Sequence, residues 1–255
     1  MTEPRSPARA GSRRRLLVGG LALAGAYAGL RAGIPALSDR FAPLDLEPLA
    51  RPTGFRRLLS AGGASGGGSA GAFDPLVGLE PAADRVAPSC AGLFEGERDP
   101  GTVPVAYFSD YNCTYCRVLS LLLDRLEGVQ ITLHELPILG ESSRIAARAA
   151  LAAREQDAQR QFHDALMAMP RPSPARIAQV ANDLGLDPER LNADAEAPAV
   201  DIALGRSEAL AALFGLNATP ALIVGRTLVI GAISRITLDR LVAREIADGP
   251  VPACV

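Results

Sequence analysis

From Val103 onward the apolar positions change period in a regular order. Val103–Ser109 is apolar and β-prone, and Pro104 suits a strand start. Tyr111–Cys116 gives way to Val118, Leu119, Leu121, Leu122, Leu123 and Leu126, an apolar helix closed by Gly128. Val129–Leu136 then alternates as a strand should. Cys113 and Cys116 therefore fall at a strand-to-helix turn inside a β–α–β unit. A helical block follows: Ser142–Gln156, a short Phe162–Met169 that ends before Pro170, and a helix opened by Ser173-Pro174 running through Leu184. Asp187-Pro188-Glu189 opens another helix, and Pro198–Phe214 reads as a longer one. Proline right after a capping residue belongs in a first helical turn, where its missing N–H costs nothing. The pattern returns to strands at Ala221–Val224 and Thr227–Ile230, joined by Gly225-Arg226, and ends in an amphipathic helix, Thr237–Ala247.

A β–α–β half, a helical insert at about 142–214 and a β–β–α half predict an α/β domain over 89–255, a thioredoxin fold with an inserted helical subdomain. The N-terminus reads differently. Ser12-Arg13-Arg14-Arg15-Leu16-Leu17 precedes an apolar, Gly/Ala-rich stretch reaching Leu30. Basic residues before a short apolar core form an export signal, and 1–33 is assigned that role. The Ser-Arg-Arg-x-Leu-Leu form resembles a twin-arginine signal; a Sec signal, an uncleaved signal anchor and a cytosolic core helix are the alternatives. Residues 34–88 are broken by proline and glycine, and Ala61–Ala72 contains only Gly, Ala and Ser, which predicts an extension and flexible linker.

Composition narrows the chemistry. The chain has 255 residues, 48% of them apolar, enough for one well-buried domain with extensions or at most two small ones. Its net charge is −2, so no basic field argues for nucleic acid. Only two histidines are present, His134 and His163, which argues against a multi-histidine metal site. Both read as structural. No metal and no cofactor is called.

The four cysteines are Cys90, Cys113, Cys116 and Cys254. A Cys-x-x-Cys that opens a helix puts its first sulfur near the positive end of the helix dipole, which favours thiolate over thiol. Cys113 is thus the expected nucleophile, and Cys116 the more shielded resolving thiol. A zinc knuckle would need a second pair at suitable spacing, and Cys90 and Cys254 stand alone. An inert structural disulfide is the other alternative. Asp110 is either a proton acceptor for the thiols or a capping or turn residue, with Asn112 competing for the cap. Tyr115 is either a substrate contact or a plain exposed helix residue.

Four segments carry a resemblance: Phe108-Ser109-Asp110-Tyr111-Asn112-Cys113-Thr114-Tyr115-Cys116, Leu136-Pro137-Ile138-Leu139-Gly140-Glu141-Ser142-Ser143, Phe162-His163-Asp164-Ala165-Leu166-Met167, and Ala218-Thr219-Pro220-Ala221-Leu222-Ile223-Val224-Gly225. Over Val103–Ala247 the chain resembles the DsbA-like branch of the thioredoxin superfamily. Thr114, where many relatives have proline, and Asn217-Ala218, where glycine commonly precedes Thr-Pro, are departures. The resemblance implies a cis Thr219–Pro220 bond facing the cysteines, with the Thr219 backbone pairing to an extended substrate. It implies a thiol–disulfide oxidoreductase acting on exported proteins, periplasmic or tethered to the inner membrane by an uncleaved N-terminal segment, with a membrane redox partner. A disulfide-donating oxidase is expected; an isomerase or reductase, or a redox-inert or metal-handling binding module, are the alternatives. In this fold the chain ends can approach, so Cys90 and Cys254 are candidates for a structural disulfide, against unpaired thiols or pairing to another chain.

Overall fold

The structure is a computed structural model, and it describes residues 41, 43–59, 90–97 and 99–251. The segment 1–33 and Cys254 lie outside the described residues, as does the side chain of Cys90. So neither the export signal nor the Cys90–Cys254 pairing falls within them. Among the described residues no helix is long and apolar enough to cross a membrane.

Leu44–Val255 forms a compact unit around a six-stranded sheet. In chain order the elements are β1 (Leu46–Pro48), β2 (Arg56–Leu58), α1 (Cys90–Leu93), β3 (Val103–Ser109), α2 (Thr114–Leu123) and β4 (Val129–Glu135). The helical insert follows: α3 (Glu141–Ala153) with a 3-10 turn (Arg154–Gln156), α4 (Gln159–Met167), α5 (Pro174–Asp183), α6 (Pro188–Ala195) and α7 (Pro198–Leu213). The chain closes with β5 (Ala221–Val224), β6 (Thr227–Ile230) and α8 (Arg235–Asp248). Strand order is β1-β2-β6-β5-β3-β4. β3 pairs in parallel with β4 and antiparallel with β5, and β5 pairs antiparallel with β6.

The local reasons are those of the sequence. Ser173, Asp187 and Ser234 each cap a helix by accepting backbone N–H bonds, and Pro174, Pro188 and Pro198 occupy first turns. β3 is buried along its whole length and divides two cores. Val105 and Tyr107 face α2, α8 and the insert, packing with Leu119, Phe162 and Leu238. Ala106 and Phe108 face α1 and the end of α7, packing with Leu93, Leu210 and Phe214. On that second face His134 stacks on Phe108 with centroids 4.5 Å apart, and its Nε2 donates to the Leu93 carbonyl at 2.9 Å. That is the structural role the sequence reading gave it.

One part of the expected layout is corrected. The stretch 34–88 is not extension and linker throughout, because β1 and β2 form a hairpin that joins the sheet, β2 lying parallel to β6. A tertiary clamp holds it. Arg56 pairs with Glu245 of α8 at 2.5 Å and donates to Thr227 Oγ1 at 2.7 Å. Thr227 Oγ1 donates in turn to Glu245 Oε1 at 2.6 Å, and the Arg226 N–H donates to Oε2 at 3.0 Å. Gly225 makes the tight turn beside this carboxylate, with φ 56°, and a Cβ there would collide with the Glu245 side chain.

Candidate active site

The buried strand β3 ends at Ser109, and the chain must turn sharply to start α2. Asp110 makes the turn. Its buried carboxylate accepts from the Asn112 N–H at 2.7 Å and from Ser143 Oγ at 2.6 Å through Oδ1, and from the Leu139 N–H at 2.9 Å through Oδ2. Its carbonyl accepts from the Cys113 N–H at 3.0 Å. Asn112 donates to Ser142 Oγ and Ser143 Oγ, which ties the turn to the N-terminus of α3. Neither Asp110 nor Asn112 caps α2. The N-cap is Cys113 itself, with φ −77° and ψ 115°, and its Sγ accepts the Cys116 N–H at 3.1 Å. A hydrogen bond to sulfur from an orphan amide at a helix start stabilises the thiolate more than the thiol.

The same Sγ lies 3.3 Å from the Thr219 carbonyl, to which the thiol donates. The Thr219–Pro220 bond is cis, as the resemblance implied. Both cysteines are thiols, and both are fully buried. The expected difference in shielding between them is absent: both residues are 0% exposed, the Cys113 sulfur lying against the Thr219 carbonyl. Burial pushes the Cys116 thiol far above its ordinary pKa, and the neighbouring Cys113 adds to this; the Asp110 backbone and the Thr219 hydroxyl pull the other way. Tyr115 is 43% exposed on the outer side of α2, where Val118 and Leu121 are also exposed.

Behind α2 the structure assembles residues that sequence reasoning kept apart. Tyr107 O–H donates to the Cys116 carbonyl at 2.9 Å and lies 3.2 Å from Ser120 Oγ. His163 sits with Nε2 3.4 Å from Ser120 Oγ and Nδ1 3.1 Å from the Tyr111 hydroxyl. Tyr111 is 2.8 Å from Glu135 Oε1, whereas Glu135 Oε2 is buried without a partner. α4 thus packs His163 between Ser120 of α2 and the Tyr111 turn. A signal for Glu135 is present in the sequence: Val129, Ile131, Leu133 and Glu135 share one face of β4, and the first three pack half-buried against the core, so the alternation turns the glutamate toward the core as well. Among the described residues no group of three or more His, Cys, Asp or Glu side chains is arranged to hold a metal ion.

A thiol pair at the start of the helix after a central strand, opposite a Thr–cis-Pro loop and interrupted by a helical insert, defines a thioredoxin-fold domain of the inserted type. The sequence profile of the DSBA-like thioredoxin domain matches residues 104–243. The chain belongs to that family, a class of thiol–disulfide oxidoreductases. Among solved structures it is similar to a thioredoxin-like oxidoreductase from Silicibacter pomeroyi DSS-3, at 39% identity and a TM-score of 0.56, covering 61% of this chain and 96% of that one. A periplasmic thioredoxin-like protein from Salmonella enterica serovar Typhimurium matches at 30% identity and a TM-score of 0.54, covering 62% and 95%. The thiol-disulfide exchange protein alpha-DsbA2 from Wolbachia pipientis, at 24% identity and a TM-score of 0.56 over 60% and 90%, shares the fold. No curated protein matches the chain.

Proposed function

We propose that the chain is a periplasmic disulfide-donating oxidase of exported proteins, with Cys113 as nucleophile and Cys116 as resolving thiol. In the oxidised enzyme a substrate thiolate attacks Cys113 Sγ. The Cys113–Cys116 bond breaks and its electron pair leaves on Cys116. A second substrate thiolate then attacks the substrate sulfur of the mixed disulfide, and Cys113 leaves as thiolate. The substrate loses two electrons and the enzyme pair gains them, to be passed on to a membrane redox partner. The observation that carries the direction is the cap: Cys113 Sγ accepts the Cys116 N–H at 3.1 Å, an interaction that strengthens in the thiolate and so favours the reduced enzyme. Thr219 and Pro220 supply the backbone against which an extended substrate pairs, and Tyr115 contacts the substrate beside it. Asp110 holds the turn. Its carboxylate oxygens are already engaged by three donors, which supports a structural role over proton transfer.

Cys116→Ser is expected to accumulate mixed disulfides through Cys113, and Cys113→Ser to accumulate none. Equal trapping by both variants overturns the assignment. In a background without Cys90 and Cys254, an oxidase is less resistant to denaturant when oxidised than when reduced. The opposite order makes the enzyme an isomerase or reductase. Alkylation of Cys113 no faster than that of the other thiols at neutral pH makes it an inert or metal-handling module.

A further inference from the structure

The polar row behind α2 has no part in the exchange just described, and its proton count is informative. Five contacts link Glu135 Oε1, Tyr111, His163, Ser120, Tyr107 and the Cys116 carbonyl in series. Each contact needs one proton between its two heavy atoms. With Glu135 ionised and His163 neutral the row holds four, one each on Tyr111, His163, Ser120 and Tyr107, so one contact sets lone pair against lone pair. A single added proton satisfies every contact, and it does so in two ways. On Glu135, Oε1–H donates to Tyr111, Tyr111 donates to Nδ1, and Nε2–H donates onward through Ser120 and Tyr107 to the Cys116 carbonyl. On His163, Nδ1–H donates to Tyr111 and Tyr111 donates to the carboxylate, with the remainder unchanged. Two protons shifting across Tyr111 interconvert the forms with every heavy atom at rest.

We propose that Glu135 and His163 share one proton through Tyr111 and act as positioning residues for Cys116, the proton resting on Glu135 while Cys116 is uncharged and crossing to His163 as negative charge develops on its sulfur. The resting position follows from Glu135 Oε2, which is buried without a partner: an ionised carboxylate so placed loses solvation with nothing in return. Both phenols stay protonated as the row requires, since burial raises Tyr107 and Tyr111 well above their ordinary pKa. The other charges around His163 are already matched. Asp164 on its own helix is paired with Arg160, which also reaches Asp124 at the C-cap of α2, and Arg117 of α2 donates to the Tyr111 carbonyl. His163 stands nearer the thiols along the row than Glu135 does, so the crossing brings positive charge toward the Cys116 leaving group.

This inference rests on the oxidoreductase reading, and its first test needs no turnover. Imidazole ¹⁵N spectra of the full chain in the dithiol form resolve two histidines, with a His134→Gln variant to assign them. His163 is expected to carry a proton on Nε2 and none on Nδ1 at neutral pH. A bare Nε2 overturns the proposal, because both placements of the shared proton keep a proton on that nitrogen. The second test follows reduction of the oxidised protein by dithiothreitol. In Glu135→Gln the amide still donates to Tyr111 but has no proton to give, so His163 must take one from solvent. The wild-type to variant rate ratio is expected to reach about threefold or more near pH 8 and to shrink toward pH 5. A ratio constant over this range overturns the proposal, whereas wild-type protein with no reducible Cys113–Cys116 bond overturns the oxidoreductase reading instead.

Discussion

Two buried glutamates sit near opposite ends of strand β3, and they are neutralised in different ways. Glu245, 3% exposed, has both oxygens engaged: Arg56 and Thr227 on one, the Arg226 N–H on the other. Glu135, 1% exposed, meets the Tyr111 phenol on one oxygen, with His163 Nδ1 3.8 Å from the same oxygen, and has no hydrogen-bond partner on the other. A guanidinium does not release its proton, so the Glu245 cluster is fixed in one charge state and serves as a clamp. Among the interactions described, the groups around Glu135 neutralise it only by moving protons. The first kind of burial gives stability and no chemistry; the second leaves a charge that the active site can call on.

The contrast can be broken at several strengths. Glu245→Ala leaves Arg56 only Asp248, 2.7 Å away, and orphans the Thr227 hydroxyl and the Arg226 N–H; it should destabilise the domain most, by about 3 kcal/mol in urea unfolding, while Cys113 alkylation in the folded protein stays at its wild-type rate. Loss of both would mean that the clamp also shapes the site. Asp110→Ala tests a third buried carboxylate, held by three neutral donors rather than by arginine. Orphaning those donors should cost about 2–3 kcal/mol, and a cost near zero would show that solvent replaces the carboxylate. Glu135→Gln should change stability by about 1 kcal/mol or less, because the amide keeps the Tyr111 contact. A cost as large as that at Glu245 would place the two glutamates in one class. The smallest effect is a slope. Burial lowers the His134 pKa from 6.5, so the unfolded chain binds more protons than the folded one just below that value. Stability should therefore fall as pH drops through 6.5, and His134→Gln should flatten that part of the profile.

From β3 to α8 the pattern of the chain was legible, because its signals are local. Ser173-Pro174 and Asp187-Pro188 start helices by capping chemistry that needs no distant partner, and the alternation of Val129–Glu135 fixes a strand face. The Cys113/Cys116 turn and the Thr219–Pro220 loop are legible as motifs; of the roles the sequence leaves open for Asp110 the structure shows the turn, while the cap is filled by Cys113 itself. What escaped was set by distant contacts. β1 and β2 are three residues each, carry Pro48 and the basic pair Arg56-Arg57, and show no period. They exist because β6 offers an edge and Glu245 a countercharge, neither visible from residues 46–58 alone. The row from Glu135 to Cys116 draws on two strands, the turn before α2, α2 itself and α4, and sequence spacing carries no trace of it.

The hairpin also changes what the Gly/Ala/Ser tract connects. Leu58 is bound into the sheet ahead of it, and Leu93 is fastened to His134 beyond it. The described residues on both sides of the tract therefore belong to one folded unit. Lengthening the tract should cost only a loop-closure increment, about 0.6 kcal/mol for each doubling. A single protease nick between Ala61 and Ala72 would yield two fragments that stay together through the β2–β6 ladder and the Arg56–Glu245 pair. The natural places to open this polypeptide, or to thread in a foreign segment, thus lie in its middle, with the redox half intact on one side of the cut and its own sheet edge waiting for the other.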